Sequence, residues 1–396
     1  MGTCRLCGRR SRIVSGWLGV CGECLRRRPG EALEIVRGAR RAWRLRAGLP
    51  AEPPKGPGVP CRVCVNECVI PEGSRGYCGV WANRGGRLEP LAGHGRLVGF
   101  TYLDPLPTNC VATPVCPAAT GRGYPDYTDT TGPEVGYYNL AVFMGGCPLD
   151  CAFCQNPEHK SMVAWGRIPA GRVMSVDELV ERALDPRVRC VCYFGGDPTP
   201  QAPALVAASR RILVEARRRG QRFKRICWET DGLANPAIMR EMARVSLESG
   251  GIVKIDWKAW TPSIYEALTG VDGFKAVERL KTNTRIVSEL ARRRPEPPLL
   301  VVSVLLVPGY VGPYEVRMIA RYLSSLNPKP PMVLLAFHPE HRMPDLPTTS
   351  WDHARKAMEA ALEEGIEEVY LGNEWLLGSA YEVEDWWDPP PGPGGP

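Results

Sequence analysis

The sequence has no long hydrophobic run, and no apolar segment follows its start. Its longest apolar stretch, residues 299–307, is interrupted by Ser303 and is much shorter than the roughly 20 residues that span a bilayer. The arginines among the first twelve residues lead into no apolar core, so we expect no signal peptide. These two absences predict a cytoplasmic protein without a membrane partner.

Lysine is scarce, and the excess of positive charge is confined to one end. Arginine outnumbers lysine 41 to 9. Residues 1–50 contain 12 arginines and 3 glutamates, a net charge of +9, although the formal charge of the whole chain is only +7. This distribution is typical of a surface that binds RNA or an acidic protein face. The alternative is a solvated helix that holds the N-terminal end against the body.

Cysteine, in contrast, is abundant. Eleven of the 16 cysteines fall in three clusters with metal-type spacing, which favours metal-binding thiols over disulfides. The first cluster, in residues 1–30, consists of Cys4, Cys7, Cys21 and Cys24. Its two C-x2-C pairs predict a zinc-ribbon-like module that holds a structural zinc ion, with iron in a rubredoxin-like site as the alternative.

The second cluster, in residues 61–100, consists of Cys61, Cys64, Cys68 and Cys78. This ligand set suits either zinc or an auxiliary [4Fe–4S] cluster. Residues 31–60, which precede it, are predicted to form a basic helix and a proline-rich linker. Residues 101–138 are predicted to form a long loop packed on the core, and they contain two further cysteines that could be a redox pair, ligands or neither.

The third cluster is Cys147, Cys151 and Cys154, which follow an apolar run and two glycines. A [4Fe–4S] cluster normally takes four cysteine ligands, so three would leave one iron open. An open coordination position is what a catalytic metal site needs. The spacing alone leaves two alternatives, which are a zinc loop and three unrelated core thiols.

Residues 139–340 alternate between strand and helix patterns, and six strand–helix units predict a parallel sheet. Several polar motifs follow predicted strands, where barrels of parallel strands carry their active sites. The motifs are Gly195-Gly196-Asp197-Pro198, Glu229-Thr230, Asp256-Trp257-Lys258 and Phe337-His338. The cysteines on the second and third strands, Cys190, Cys192 and Cys227, are interpreted as core residues.

Residues 341–387 are predicted to contain a helix capped by residues 348–350 and a short strand over residues 367–372. We expect both histidines of this region, His341 and His353, at the surface. The tail, residues 388–396, is rich in proline and glycine and is predicted to be disordered.

These motifs resemble those of the radical S-adenosylmethionine (SAM) superfamily, and in particular proteins related to pyruvate formate-lyase activating enzyme. The resemblance implies an α/β fold, a partial (β/α)6 barrel of radical SAM type, preceded by small cysteine-rich metal-binding modules. It also implies that Cys147, Cys151 and Cys154 hold a [4Fe–4S] cluster. The residues that it places around SAM are Phe153, Gly195, Gly196, Asp197, Glu229, Thr230, Asp256, Lys258 and His338.

The function implied is that of a radical SAM oxidoreductase, similar to activating enzymes. It would cleave SAM reductively to a 5′-deoxyadenosyl radical, which abstracts hydrogen from an unknown substrate, with a protein as the first candidate. Radical modification of RNA or of a small molecule is one alternative. A metal-dependent nucleic-acid-binding or protein-binding module without catalysis is the other. Reduction of the cluster would need a low-potential electron donor such as ferredoxin or flavodoxin.

Overall fold

The computed structural model describes residues 1–383, and the predicted tail lies outside the described residues. The strands are β1 (Gly2–Thr3), β2 (Arg10–Ser11), β3 (Val59–Pro60), β4 (Val69–Ile70), β5 (Trp81–Arg84), β6 (Arg87–Pro90), β7 (Arg96–Pro105), β8 (Tyr138–Met144), β9 (Val173–Ser175), β10 (Val188–Gly195), β11 (Arg225–Thr230), β12 (Val253–Asp256), β13 (Leu300–Leu306), β14 (Met332–Ala336) and β15 (Val369–Gly372).

The helices are α1 (Gly22–Arg27), α2 (Pro29–Arg46), α3 (Pro117–Thr120), α4 (Glu158–Ser161), α5 (Val176–Ala183), α6 (Ala202–Arg218), α7 (Pro236–Ser249), α8 (Pro262–Thr269), α9 (Gly273–Ala291), α10 (Pro313–Ser324) and α11 (Trp351–Glu363). Short 3₁₀ helices cover Thr113–Val115, Ala164–Gly166, Thr199–Gln201 and Glu374–Leu376. Within residues 1–383, none of the helices has the length and apolar character that crossing a bilayer requires.

A nine-stranded sheet forms the centre of the molecule, in the order β15-β14-β13-β12-β11-β10-β8-β7-β9. The strands from β15 to β8 are parallel to one another, whereas β7 is antiparallel to both β8 and β9. Parallel strands covered on both faces are mostly apolar, which is why short apolar runs in the sequence mark them. The predicted α/β fold with a parallel sheet preceded by a cysteine module is confirmed.

The helix caps follow the sequence closely. Ser175 accepts a hydrogen bond from the backbone N–H of Glu178, and the Glu178 carboxylate accepts one from the Ser175 N–H. Each bond satisfies a donor that the first turn of α5 would otherwise leave unpaired. Ser350 caps α11 in the same way by accepting from the N–H of His353. These caps fix the points where the chain leaves a strand or loop and turns back along the sheet.

Strand β7 differs from the predicted boundaries. The first five residues of this strand lie in the range predicted for the second cysteine module, residues 61–100, and its last five lie in the range predicted for the loop, residues 101–138. The strand pairs with β8 from Gly99–Met144 to Pro105–Tyr138. Its outer half is partly exposed, so no clear alternation of apolar and polar residues marks it.

His353 also differs from its prediction. It was expected at the surface but is fully buried on α11. Its Nε2 lies 2.9 Å from the carbonyl oxygen of Val311, and its Nδ1 lies 2.7 Å from the hydroxyl of Tyr381. The helix packs this ring inward because α10 and α11 lie side by side under the sheet edge.

Both small cysteine modules are docked on the barrel. In the first, the Tyr310 hydroxyl accepts from the N–H of Ser15 and donates to the carbonyl of Val20. In the second, the N–H of Val65 donates to Leu233 O at 3.0 Å. These bonds bring both modules to the end of the sheet where the parallel strands finish.

Candidate active site

A cavity lies at the carboxyl ends of the parallel strands. It encloses about 950 Å³ of empty space, part of it open to solvent. Predicted site residues from the ends of four strands meet there. They are Cys147, Cys151, Phe153, Cys154, Gly195, Gly196, Asp197, Glu229, Thr230, Asp256 and Lys258.

His338 is the predicted residue of this group that the structure does not bring to the cavity. Its side chain is half exposed, and its Nδ1 lies 3.6 Å from a carboxylate oxygen of Glu340. The strand before it, β14, ends at Ala336, and the chain then turns toward solvent. The cavity is instead lined on this side by Leu335 and Leu305.

The loop of the third cysteine cluster starts at Gly146, whose backbone has a φ of +82°. A Cβ at this position would lie 2.8 Å from the carbonyl oxygen of Cys78, so the close approach of the second module requires glycine. The loop is then tied to the end of α8. Asp150 N–H donates to Thr269 O at 2.8 Å, and Ala152 N–H donates to Leu268 O at 2.9 Å.

Asp150 is the charged centre of this loop, and sequence reasoning missed it. Its carboxylate is buried and lies 3.1 Å from Lys160 Nζ, 3.3 Å from Arg40 Nη1 and 3.6 Å from Arg44 Nη1. Burial alone would raise the pKa of Asp150, but the Lys160 ammonium and the two guanidinium groups hold it well below its usual range. Two arginines of the predicted basic helix therefore face the protein interior.

A second group of acidic side chains faces the cavity directly. The Asp197 carboxylate accepts from the N–H of Thr199 at 2.7 Å, from the Thr230 hydroxyl at 3.0 Å and from the N–H of Asp231 at 2.6 Å. Asp231 Oδ2 lies 3.8 Å from the Cys147 Sγ. Burial raises the pKa of both carboxyl groups, and the neighbouring Asp197 raises that of Asp231 further. Two buried carboxylates this close favour a cation in the cavity.

Lys258 provides positive charge on the opposite side. Its ammonium contacts the Asp256 carboxylate and lies 5.6 Å from the centre of the Phe153 ring. Burial would lower the pKa of Lys258, but Asp256 and Cys151 raise it above the usual value, so the ammonium stays charged. One oxygen of Asp256, Oδ1, is buried and has no hydrogen-bond partner among the described residues. The cavity therefore offers both charge signs and an unused acceptor.

Comparison with known proteins agrees with this arrangement. Residues 141–310 match the family model of the radical SAM superfamily. The chain contains a radical SAM domain. Over 320 residues it is 26% identical to an uncharacterized protein of Methanocaldococcus jannaschii, covering 80% of this chain and 81% of the relative.

Two solved structures also align with this chain. One is a domain of pyruvate-formate lyase-activating enzyme from Bacteroides vulgatus, with 17% identity, a TM-score of 0.35, and coverage of 46% of this chain and 98% of that one. The other is a radical SAM methyltransferase from Sphaerobacter thermophilus, with 17% identity, a TM-score of 0.42, and coverage of 59% and 66%.

The cavity fits the two groups that the radical SAM superfamily implies, a [4Fe–4S] cluster and SAM. Three thiols on one short loop match the donor chemistry of an iron–sulfur cluster. Burial raises the pKa of Cys151 to about 12, so cluster binding must release thiol protons. SAM carries a sulfonium, an amine and a carboxylate, and the cavity presents buried carboxylates as well as the Lys258 ammonium.

A second chamber adjoins this cavity. It encloses about 620 Å³ and shares Phe194, Glu229 and Lys254 with the cavity. Five thiols line it: Cys110, Cys116, Cys190, Cys192 and Cys227. The last three are those interpreted from the sequence as core residues.

Lys254 is the charged group of this chamber. Its Nζ lies 2.9 Å from Glu229 Oε1, 3.2 Å from Cys110 Sγ and 3.1 Å from Cys192 Sγ. The sequence contained Lys254 within a strand, and no local signal distinguished it from a residue that faces a helix. Its pairing with Glu229 depends on the register between β11 and β12.

The first cysteine cluster has the geometry of a single-ion site. The sulfur atoms of Cys4 and Cys24 are 3.7 Å apart, and those of Cys7 and Cys21 are 3.8 Å apart. A tetrahedral zinc ion with Zn–S bonds of about 2.3 Å would separate its ligands by about this distance. Within residues 1–383, this is the one group of three or more potential ligands whose donor atoms all lie within 4.8 Å of one another.

Proposed function

We propose that the chain is an activating-enzyme-like radical SAM enzyme in which Cys147, Cys151 and Cys154 hold a [4Fe–4S] cluster. One observation carries the proposal: eleven residues predicted from separate motifs line a single cavity. When bound, the cluster and SAM supply the one-electron chemistry that abstracts a hydrogen atom from an unreactive C–H bond. The protein's own residues bind and orient the reactants.

The carboxylates and the lysine of the cavity have separate roles in this proposal. Asp197, fixed by three hydrogen bonds, would bind the cationic end of SAM together with Asp231. Lys258 would bind the SAM carboxylate, and Phe153 would border the adenine. Glu229, Thr230 and Asp256 would complete the pocket walls. The buried setting excludes water and strengthens each of these charge contacts.

The substrate would lie in the thiol-lined chamber, because that chamber adjoins the SAM cavity and shares Phe194, Glu229 and Lys254 with it. Its size fits one residue of a protein substrate or a small molecule, which supports the activating-enzyme-like proposal. The RNA alternative receives less support, because Arg40 and Arg44 of the basic N-terminal region are buried against Asp150. An electron donor such as ferredoxin or flavodoxin is required by the potential of the cluster.

The metal centres outside the cavity belong to the small modules. Cys4, Cys7, Cys21 and Cys24 would hold structural zinc, since four ligands at these separations leave no position open. Cys61, Cys64, Cys68 and Cys78 would hold a further metal centre, either zinc or an iron–sulfur cluster.

The test is anaerobic. Wild-type protein reconstituted with iron and sulfide is incubated with SAM and dithionite, and 5′-deoxyadenosine is quantified beside Cys147→Ala. We expect product from the wild type and at least a 100-fold loss in the variant, whose zinc content and circular dichroism should match the parent. A wild type that retains its iron but neither binds nor cleaves SAM would contradict the proposal.

A second variant tests the chamber. Cys116 lines the chamber and not the SAM cavity, so Cys116→Phe should fill the chamber while SAM affinity stays within about twofold. We expect it to abolish the extra 5′-deoxyadenosine that a protein fraction of cell extract stimulates. Unchanged stimulation would place the substrate elsewhere.

A further inference from the structure

We propose that Cys61, Cys64, Cys68 and Cys78 hold a second iron–sulfur cluster, and that this cluster passes electrons to the centre at Cys147, Cys151 and Cys154. The metal assignment stands on the geometry of the second module alone. The electron-transfer role rests on the proposed function.

The module brings its four cysteines together in the protein interior. The Cys61 N–H donates to the Cys68 carbonyl at 2.7 Å, which closes the β3–β4 hairpin. Cys61, Cys64 and Cys68 are buried, and Cys78 is half-buried. A cluster held by these thiols would be shielded from water on most sides.

The separation of the sulfur atoms distinguishes this set from the first. In the first module the sulfur atoms lie close enough for one tetrahedral ion. No three donors of the second set meet the same 4.8 Å separation within the described residues. A cluster of four irons separates its thiolate ligands further than a single zinc ion does, because the irons and sulfides lie between them. The wider spacing therefore favours a cluster.

The position of the module supports electron transfer. The Cys78 carbonyl packs directly against Gly146. Gly146 precedes Cys147, the first ligand in the loop of the third cysteine cluster. Asn66 Nδ2, between two of the second-set ligands, donates to the Pro148 carbonyl of that loop at 2.7 Å. Cys78 and Cys147 line one small cavity. Structural zinc needs no such neighbour, whereas an electron carrier does.

Positive charge lies where an anionic cluster would need it. Arg44 is buried, and its Nη2 donates to the Tyr77 carbonyl, beside Cys78, at 2.7 Å. Arg75 belongs to the module itself, and its Nη2 donates to Gly48 O at 3.1 Å. Lys55 Nζ donates to Asn66 O at 3.0 Å. These cations would offset the charge of four thiolates.

The transfer itself makes and breaks no covalent bond. One electron from a low-potential, one-electron protein donor reduces the second cluster, and the same electron then reduces the centre at Cys147, Cys151 and Cys154. The donor is oxidised by one electron for each transfer.

The decisive measurement is a metal count on the full chain, reconstituted anaerobically. We expect about eight irons in the wild type and about four in the triple variant Cys147→Ala, Cys151→Ala, Cys154→Ala, with one zinc in each, because each [4Fe–4S] cluster contributes four irons. The reduced triple variant should give the electron paramagnetic resonance signal of a [4Fe–4S]⁺ cluster. Because the triple variant leaves the second module intact, an iron-free protein with two zinc ions would overturn the assignment. This result would hold whether or not the wild type cleaves SAM.

The relay is tested with Cys61→Ser, Cys64→Ser. We expect SAM cleavage to fall at least tenfold when flavodoxin or ferredoxin supplies electrons. With dithionite, which would reduce the centre at Cys147, Cys151 and Cys154 directly, we expect a decrease of less than about threefold. Iron retained at about four per chain shows that this variant still holds the iron–sulfur cluster at Cys147, Cys151 and Cys154. An equal loss with both reductants, or no loss with either, would contradict the relay.

Discussion

Asp150 shows at the level of one residue how the loop of the third cysteine cluster is stabilised. Its carboxylate compensates three buried cations that come from α2 and from α4. Removing one partner from a buried ionic cluster leaves uncompensated charge, which typically costs about 3–5 kcal/mol. We therefore expect Asp150→Asn to lower the free energy of unfolding by about 3 kcal/mol, as measured by urea denaturation.

The matched control is Asp185→Asn. Asp185 also pairs with an arginine, at 2.8 Å, but the Arg187 side chain is 60% exposed, and such surface pairs contribute about 0–1 kcal/mol. Equal effects of the two substitutions would contradict a special role for Asp150.

The negative charge of Asp197 leads to a prediction about the affinity for SAM. Replacing this carboxylate with an amide keeps an oxygen acceptor for Thr199 but removes the negative charge that faces the cavity. A hydrogen bond to a charged group contributes about 1.5–3 kcal/mol, so Asp197→Asn should weaken SAM binding by about 10- to 100-fold. Isothermal titration of the iron-loaded protein measures this change. Affinity within twofold of the wild type would exclude Asp197 from the binding site.

Most of the cavity residues could be predicted because they belong to local motifs that follow apolar strands. Gly195–Asp197 and Glu229–Thr230 are examples, since a strand end and a polar turn are both visible in the sequence. Asp150 was missed because its partners Arg40 and Arg44 lie over 100 residues away. His338 lies outside the cavity lining because the turn after β14, and not the motif, decides where its side chain lies.

At the level of elements, α11 carries a pH-sensitive contact. Burial lowers the pKa of His353 from 6.5 to about 4. The unfolded chain therefore binds a proton before the folded one does as the pH falls from 6.5 to 4, so stability decreases across this window and is restored above it. A shift of this size corresponds to about 3 kcal/mol. Urea denaturation at pH 7 and pH 4.5 should show the decrease.

The matching variant is His353→Gln, which cannot titrate. It should be less stable than the wild type at pH 7, but its stability should change less between pH 7 and pH 4.5. The remaining change reflects His341, whose pKa is also lowered to about 4, chiefly by burial, and His159, whose pKa burial holds well below its usual value. An identical pH dependence in both proteins would rule out His353 as a source.

Elements differed in how well the sequence predicted them. Strand β13 is buried along its whole length, so an apolar run broken only by Ser303 marked it within one residue of its observed ends. Strand β7 was missed because it lies outside the parallel strands and its pairing with β8 spans the long segment between them. Its position depends on a partner distant in sequence and not on its own periodicity.

At the level of the whole molecule, α2 connects the N-terminal region, residues 1–50, to the loop of the third cysteine cluster. We expect a chain that lacks residues 1–50 to retain less than half of the iron bound at Cys147, Cys151 and Cys154, because Asp150 loses Arg40 and Arg44. Iron analysis after anaerobic reconstitution measures this loss. A chain that lacks only residues 1–28 keeps α2 and serves as the control.

The two truncations also separate the RNA alternative from a bracing role. A nucleic-acid-binding arm would lose bound RNA in both truncated chains while the iron content stayed unchanged. A bracing helix predicts the opposite pattern, with iron lost when α2 is removed. Full iron content in the chain that lacks residues 1–50 would contradict the bracing role.

Gly146 has a consequence for how such a protein can diverge or be redesigned. The Cys78 carbonyl occupies the space that a side chain at residue 146 would fill. The second module and the loop of the third cysteine cluster therefore pack against each other through complementary surfaces. A barrel grafted from another protein would need a glycine at this position, because any side chain there would prevent the module from packing against the loop. The second cysteine module is therefore not interchangeable on its own, and recombination that exchanges it without the loop should yield chains that fold but in which the module no longer packs against the loop.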